Sequence, residues 1–191
     1  MILDLFSRYV VGWLLAEREC QYLAAQLIEA TAHKQGVSQE TLTLHADRGG
    51  PMTSKTVAQL LSDLGVSGSH SRPHVSNDNP FSEAQFKTMK YAPQFPGRFD
   101  CLEDARSFCQ EFFTFYNEAH YHTGIALLTP AMVHTGQAAA VQQARQEILN
   151  QAYATKPARF SKGTPKVTPL HQEVWINRIE PLTEEGNSKT T

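Results

Sequence analysis

The chain lacks most of the features that would set it apart from ordinary water-soluble globular proteins. Its three cysteines, Cys20, Cys101 and Cys109, are scattered and odd in number. That excludes a disulfide-stapled scaffold and suits reduced thiols in a reducing compartment. Cys101 and Cys109 with His120 and His122 also lack the paired spacing of a zinc site. No apolar run approaches the length needed to span a bilayer, so a membrane partner is not expected. The opening residues carry an acid, Asp4, where a signal peptide wants a basic region. A cytoplasmic location is the expectation. There is no internal repeat and no surplus of positive charge. The formal net charge is −2 and only 19% of residues are charged, so bulk charge does not advertise a nucleic-acid partner.

What is present fits one domain of ordinary size plus an appendage: 191 residues, 41% of them apolar. The charge is unevenly spread. Residues 1–154 hold 11 Lys/Arg against 15 Asp/Glu, a balance of −4, whereas residues 155–178 hold Lys156, Arg159, Lys162, Lys166 and Arg178 against Glu173 alone, a balance of +4. An acidic core with a basic tail is compatible with phosphate contact through the tail, and equally with a solvated linker.

Periodicity gives a mixed order of elements. Residues 1–5 and 8–17 read as two strands joined by the turn Phe6-Ser7-Arg8. A helix follows over residues 19–34 with Gly36 as its stop. Thr41–His45 reads as a short buried strand. Thr53 and Ser54 cap a helix that Gly65 stops, and Val66–His70 is another short strand. Residues 71–80 form a polar loop, and Ser82–Tyr91 returns to helical spacing. Cys101–Tyr121 reads as a long amphipathic helix whose stripe Phe108, Phe112 and Phe115 is expected in the core. Pro130 opens a short helix, residues 137–154 a last one, and residues 181–191 read as disordered. This is an α/β chain with helices on the faces of a mixed sheet.

Two carboxylates stand out. Asp47 lies in Leu44-His45-Ala46-Asp47-Arg48-Gly49-Gly50, at the carboxyl end of a strand, where open α/β sheets usually bind ligands. Glu83 lies in Asn77-Asp78-Asn79-Pro80-Phe81-Ser82-Glu83, at the front of a helix. The residues between them number 83 − 47 − 1 = 35. Folding can bring a strand end and a helix start together, and two such carboxylates can hold Mg²⁺. Taken singly each has a plainer reading: Asp47 as a turn aspartate before glycine, Glu83 as an acid answering the helix dipole. His45 shares a strand side with Asp47, and a packed or hydrogen-bonded histidine is the plainer expectation there.

Several segments in the right order resemble the Asp-Asp-Glu recombinases, that is, the insertion-sequence transposases and retroviral-type integrases. Ile2 to Trp13 resembles their second and third strands, Leu44 to Ser54 the segment of their second catalytic acid, and Ser71 to Lys90 the loop and helix of the third. Tyr116-Asn117, His122, Gly124 and Thr129-Pro130 resemble their terminal signature. The likeness covers residues 1–136, an integrase-type catalytic core. Residues 137–154 then form a C-terminal helix, 155–180 a basic Pro/Lys-rich tail and 181–191 a disordered end.

The resemblance implies a ribonuclease H-like mixed sheet with flanking helices. It also implies metal-dependent phosphodiester cleavage and strand transfer in DNA transposition or integration, with two Mg²⁺ or Mn²⁺ ions. Asp47 and Glu83 carry over as catalytic and metal-binding residues. Lys87, Lys90 and Arg72, with Lys156, Arg159 and Lys162 of the tail, are expected to contact DNA. The first catalytic aspartate belongs to a strand that should precede residue 1, and Asp4 is not that residue; it is expected to order the hairpin through Ser7 or Arg8. A core truncated at its front, missing its first strand and inactive alone, follows as the expectation. The full-length protein is expected to form a homo-oligomer. The competing reading is a non-catalytic remnant that binds DNA or a partner transposase.

Overall fold

A computed structural model describes residues 1–37, 42–73, 75 and 78–176. The expected strand start at Thr41, Asn77 of the polar loop, Arg178 and the expected disorder of residues 181–191 lie outside the described residues. The chain is mixed α/β, as expected, in the order β1 (Ile2–Leu3), β2 (Val10–Gly12), α1 (Gln21–Gln35), β3 (Thr43–Ala46), α2 (Lys55–Asp63), β4 (Ser67–His70), α3 (Pro80–Lys90), α4 (Leu102–Glu118), α5 (Pro130–His134) and α6 (Ala138–Thr155). The punctuation is local chemistry. Gly36 ends α1 in the left-handed conformation at φ 59°. The Ser54 hydroxyl accepts from the Val57 amide to open α2. Pro80 and Pro130 occupy the first helical turns of α3 and α5.

Among the described residues the strands form two small sheets rather than one. β1 pairs antiparallel with β2, and β3 pairs parallel with β4 in the register Thr43↔Ser67 through Ala46↔His70. The strand expected over residues 8–17 shrinks to Val10–Gly12. Between the sheets runs a groove of about 880 Å³, walled by β1, β3 and α1 through residues such as Ile2, Leu3, Leu27 and Leu44.

The β1–β2 turn is built by Asp4. Its carboxylate accepts from the Phe6 and Ser7 amides at 3.3 and 3.2 Å and from the Ser7 hydroxyl, and its carbonyl accepts from the Arg8 amide at 2.8 Å. This is the ordering role expected for Asp4. Arg8 completes the turn at φ 63° and lays its guanidinium 3.9 Å over the Phe81 ring, which ties the hairpin to α3. At Gly12 a Cβ would sit 2.1 Å from the Thr31 hydroxyl, so glycine lets α1 cross close over β2.

Three apolar clusters hold the layers. Val10, Cys109, Phe112, Phe113 and Tyr116 join β2 to α4; Ile28, Val57, Leu61 and Val66 join α1 to α2; Ile125, Leu128, Val133 and Ala138 join α5 to α6. On α4, Phe112, Phe113 and Tyr116 are buried, and the expected stripe is corrected at one position, since Phe115 is 53% exposed. The face turns because Asn117 must also point inward. Its side chain accepts from the Val10 amide at 2.9 Å and donates to the Val10 carbonyl at 3.1 Å, taking the place of a neighbouring strand. The tail returns along α6, held by Gln146 to Pro165 and Val167 and by Gln142 to Thr168, with Leu170 in the third cluster.

Asn117→Ala leaves two buried backbone groups of Val10 unpaired. At ~1–3 kcal/mol per buried group left unmade, urea unfolding should show a loss of about 2–4 kcal/mol, and a loss near zero would mean that water replaces the amide. His122 generates a second expectation. Burial, then His120 and Arg8, hold it below its ordinary pKa of 6.5, and its ring nitrogen Nδ1 accepts from the Gly124 amide. The unfolded chain therefore takes up a proton that the folded chain resists. The contribution to stability is present above pH 6.5 and is lost as pH falls below it. Unfolding free energy measured against pH should decline through that window, and His122→Asn, which keeps an acceptor and does not titrate, should flatten the decline.

Candidate functional site

The parallel pair β3–β4 delivers one candidate acid. Past its end, the Ser71 amide donates to the Ala46 carbonyl at 2.9 Å, Arg48 Nε donates to the Ser71 carbonyl at 3.1 Å, and the Asp47 carbonyl lies 3.2 Å from His70 Nδ1. Asp47 is exposed. Its Oδ1 accepts from the Gly49 amide at 3.0 Å, and a Cβ on Gly49 would stand 3.1 Å from that same oxygen. The turn after β3 thus brings backbone against the carboxylate as only glycine does comfortably, and Gly50 beyond it looks onto open space.

A buried clamp fixes the start of α3 against these strand ends. His45 on β3 places Nδ1 2.8 Å from the Ser69 hydroxyl on β4 and Nε2 2.8 Å from the Asp78 carbonyl. A carbonyl only accepts, so Nε2 carries the proton and Nδ1 accepts from Ser69. His45 is therefore the hydrogen-bonded histidine expected, and it positions rather than ligates. Asp78 is 4% exposed. Its carboxylate accepts from the Arg72 amide at 2.8 Å and from Arg72 Nε and a terminal nitrogen at 3.0 and 2.9 Å. Sequence reasoning passed over Asp78. An aspartate two residues before a helix-opening proline reads as a capping residue, and nothing local in the sequence reports that it is buried.

The groove described above ends here. Its wall includes Asp47 from β3 and Asn79, Phe81 and Ser82 from the start of α3. Glu83 follows Ser82, exposed, in the first turn of α3. Asp47 and the start of α3 thus line one groove, and Glu83 itself is not among its lining residues. Among the described residues neither carboxylate is in an ion pair. Both are hard oxygen donors open to solvent, which suits Mg²⁺ completed by water or phosphate. No group of three or more His, Cys, Asp or Glu that could hold a metal ion occurs among the described residues. Two carboxylates alone do not make up the ligand set of a two-ion centre.

Lys87 and Lys90 are exposed on α3, one and two turns after Glu83. Arg72 is committed through its fork to Asp78, which raises its pKa through that hydrogen bond, yet its side chain stays 67% exposed. Lys156, Arg159 and Lys162 are exposed on the tail and none of them lines the groove; of the described tail only Ile176 reaches it.

Asp78→Ala should loosen the start of α3 while leaving β3 and β4 paired. Amide hydrogen exchange should quicken at residues 78–84 and not at 43–46, with Arg72→Gln giving a smaller change in the same place. Uniform quickening across the chain would show that the clamp serves global stability instead.

A family described as integrase core domain matches residues 1–76, and a second model of the same description matches residues 64–130. The transposase for insertion sequence element IS904 of Lactococcus lactis subsp. lactis (strain IL1403) is 30% identical over 132 residues, 67% of this chain and 51% of that protein. The chain therefore spans about half the length of the curated relative it matches. The catalytic core domain of BIV integrase aligns in structure with a TM-score of 0.48 at 17% identity, over 72% of this chain and 85% of that one. Among the described residues no helix is long and apolar enough to cross a membrane. With two matches that together run from residue 1 to residue 130, and a mixed α/β order of elements, the chain belongs to the integrase core domain family.

Proposed function

We propose that the chain is the DNA-handling core of a transposition or integration enzyme, acting on phosphodiester bonds at the groove mouth between β3 and α3. The observation that supports this reading is that exposed Asp47 and the start of α3, up to Ser82 beside Glu83, line one groove, with His45 hydrogen-bonded to the Asp78 carbonyl between them in sequence. Asp47 and Glu83 would hold Mg²⁺ or Mn²⁺, which supplies charge stabilisation for a phosphoryl oxygen. The chain's own residues do the rest. Gly49 and Gly50 let a phosphate come close to the backbone. Lys87 and Lys90 neutralise phosphates alongside, and Lys156, Arg159 and Lys162 add contact without sequence preference.

Strand transfer by this chain alone is not expected. The ion pair of the two-metal scheme needs more ligands than the two carboxylates provide. That ligand shortage favours the second reading, DNA or partner binding without cleavage. The two readings separate in one set of measurements. Titration with Mn²⁺ followed by calorimetry should show a single weak site that Asp47→Asn and Glu83→Gln each remove. Duplex binding should persist in both variants, and no nicking should appear with the unaltered chain. Nicking that Asp47→Asn abolishes would overturn the expectation of inactivity. Metal binding indifferent to both substitutions would remove the carboxylate pair from the function. For the tail, four phosphate contacts give a log–log salt slope of about −3.6, and each Lys or Arg to Gln change there should lower it by about 0.9.

A further inference from the structure

The outer face of α3 carries more than lysines. At about 100° per residue, Lys87, Lys90, Phe86 and Tyr91 fall at about +40°, −20°, −60° and +80° from Glu83. Phe86 and Tyr91 therefore flank the strip of Glu83, Lys87 and Lys90 on either side. Both aromatics are open to solvent, Phe86 at 47% exposure and Tyr91 at 73%, while Gln85 on the opposite side is 2% exposed. Neither is in a ring contact among the described residues. Phe86 also lines the groove, as Asp47 does. Glu83 is the only acid of the helix, whose last turn is basic.

Two exposed rings beside two cations that are in no ion pair among the described residues make a surface of definite chemistry. Cations take phosphates, and rings take the faces of bases. A base offers its face only when it is out of the helical stack. Apolar protein would leave Lys87 and Lys90 desolvated without partners, so charge selects a polyanion over a second copy of this chain. We propose that α3 holds DNA in which bases next to the reacting phosphate are unpaired, with Phe86 and Tyr91 as stacking platforms and Lys87 and Lys90 on the backbone. This rests on the DNA-core reading above and adds to it the state of the DNA. The end or flank gripped at the groove mouth is single-stranded or splayed.

The test uses the full chain with a short oligo(dT) and a blunt duplex of equal length, both fluorescently labelled, read by anisotropy at low salt. Phe86→Ala and Tyr91→Ala should each weaken oligo(dT) binding by roughly 5- to 150-fold, the range for one stacked base, and change duplex binding by less than about twofold. Tyr91→Trp should restore oligo(dT) binding, and its added fluorescence over that of the parent chain should be quenched by oligo(dT) and not by the duplex. Equal losses on both probes, or no loss on either, overturn the stacking proposal. So does an unquenched tryptophan at position 91, a readout independent of any effect on folding. Lys87→Gln with Lys90→Gln keeps the two levels apart. If those changes weaken binding while the aromatic changes do not, the DNA reading stands and stacking falls. If the parent chain binds neither probe, the DNA reading itself falls and takes the proposal with it.

Discussion

The Asp78 carboxylate, buried behind β3 and β4, is the constraint on which the site depends. It closes a ring of contacts in which His45 reaches its backbone carbonyl from one side and the Arg72 fork grips its side chain from the other. A charge at 4% exposure is tolerated only when its oxygens are satisfied. Satisfying them fixes the backbone from residue 78 into the first turn of α3. The backbone leading into the Glu83 turn is thus tied to β3 and β4 by a residue that is itself buried.

A second polar hub does the same for the front of the chain. Asp4 folds the hairpin turn on itself, and its carboxylate and Ser7 both lie 3.4 Å from Nδ1 of His134 on α5. The other ring nitrogen of His134 is 3.0 Å from Gln35 at the end of α1, and its face stacks on Tyr9 at 4.5 Å. Serine, histidine and aspartate meet here, but the aspartate accepts directly from a fully buried serine, so no nucleophile is presented. The cluster joins three distant stretches of chain, as Asn117 joins α4 to β2. The walls of the groove are held by these side-chain links as much as by strand pairing, since among the described residues each sheet has two strands.

Much of this was legible along the sequence because the signals are short-range. Gly36, Ser54, Pro80 and Pro130 mark helix ends through their own backbone chemistry, and the elements they bound fall within a few residues of expectation. The misreadings arose where the deciding partner is remote. Phe115 follows the helical stripe by spacing, yet it lies outside, because the face of α4 is set by Asn117 reaching Val10, a hundred residues away in sequence. The strand over residues 8–17 shortened because pairing with β1 ends at Gly12, after which nothing among the described residues continues the ladder. Arg72, expected to contact DNA, has its fork engaged by Asp78, whose burial no local signal reports.

The sequence alone determined the residue types at the site and the order of the elements that carry them: an acid closing a strand before two glycines, an acid opening a helix, and lysines at helical spacing beyond it. Those follow from local backbone preference and side-chain chemistry, which act over a few residues. Tertiary structure decided the rest. It placed Asp47 and the start of α3 on one groove, turned His45 into a hydrogen-bonded prop, tied up the fork of Arg72, and left Phe86 and Tyr91 open beside the lysines. Each of these depends on burial and on partners brought together across long loops, and burial is a property of the folded whole that no single stretch of sequence contains.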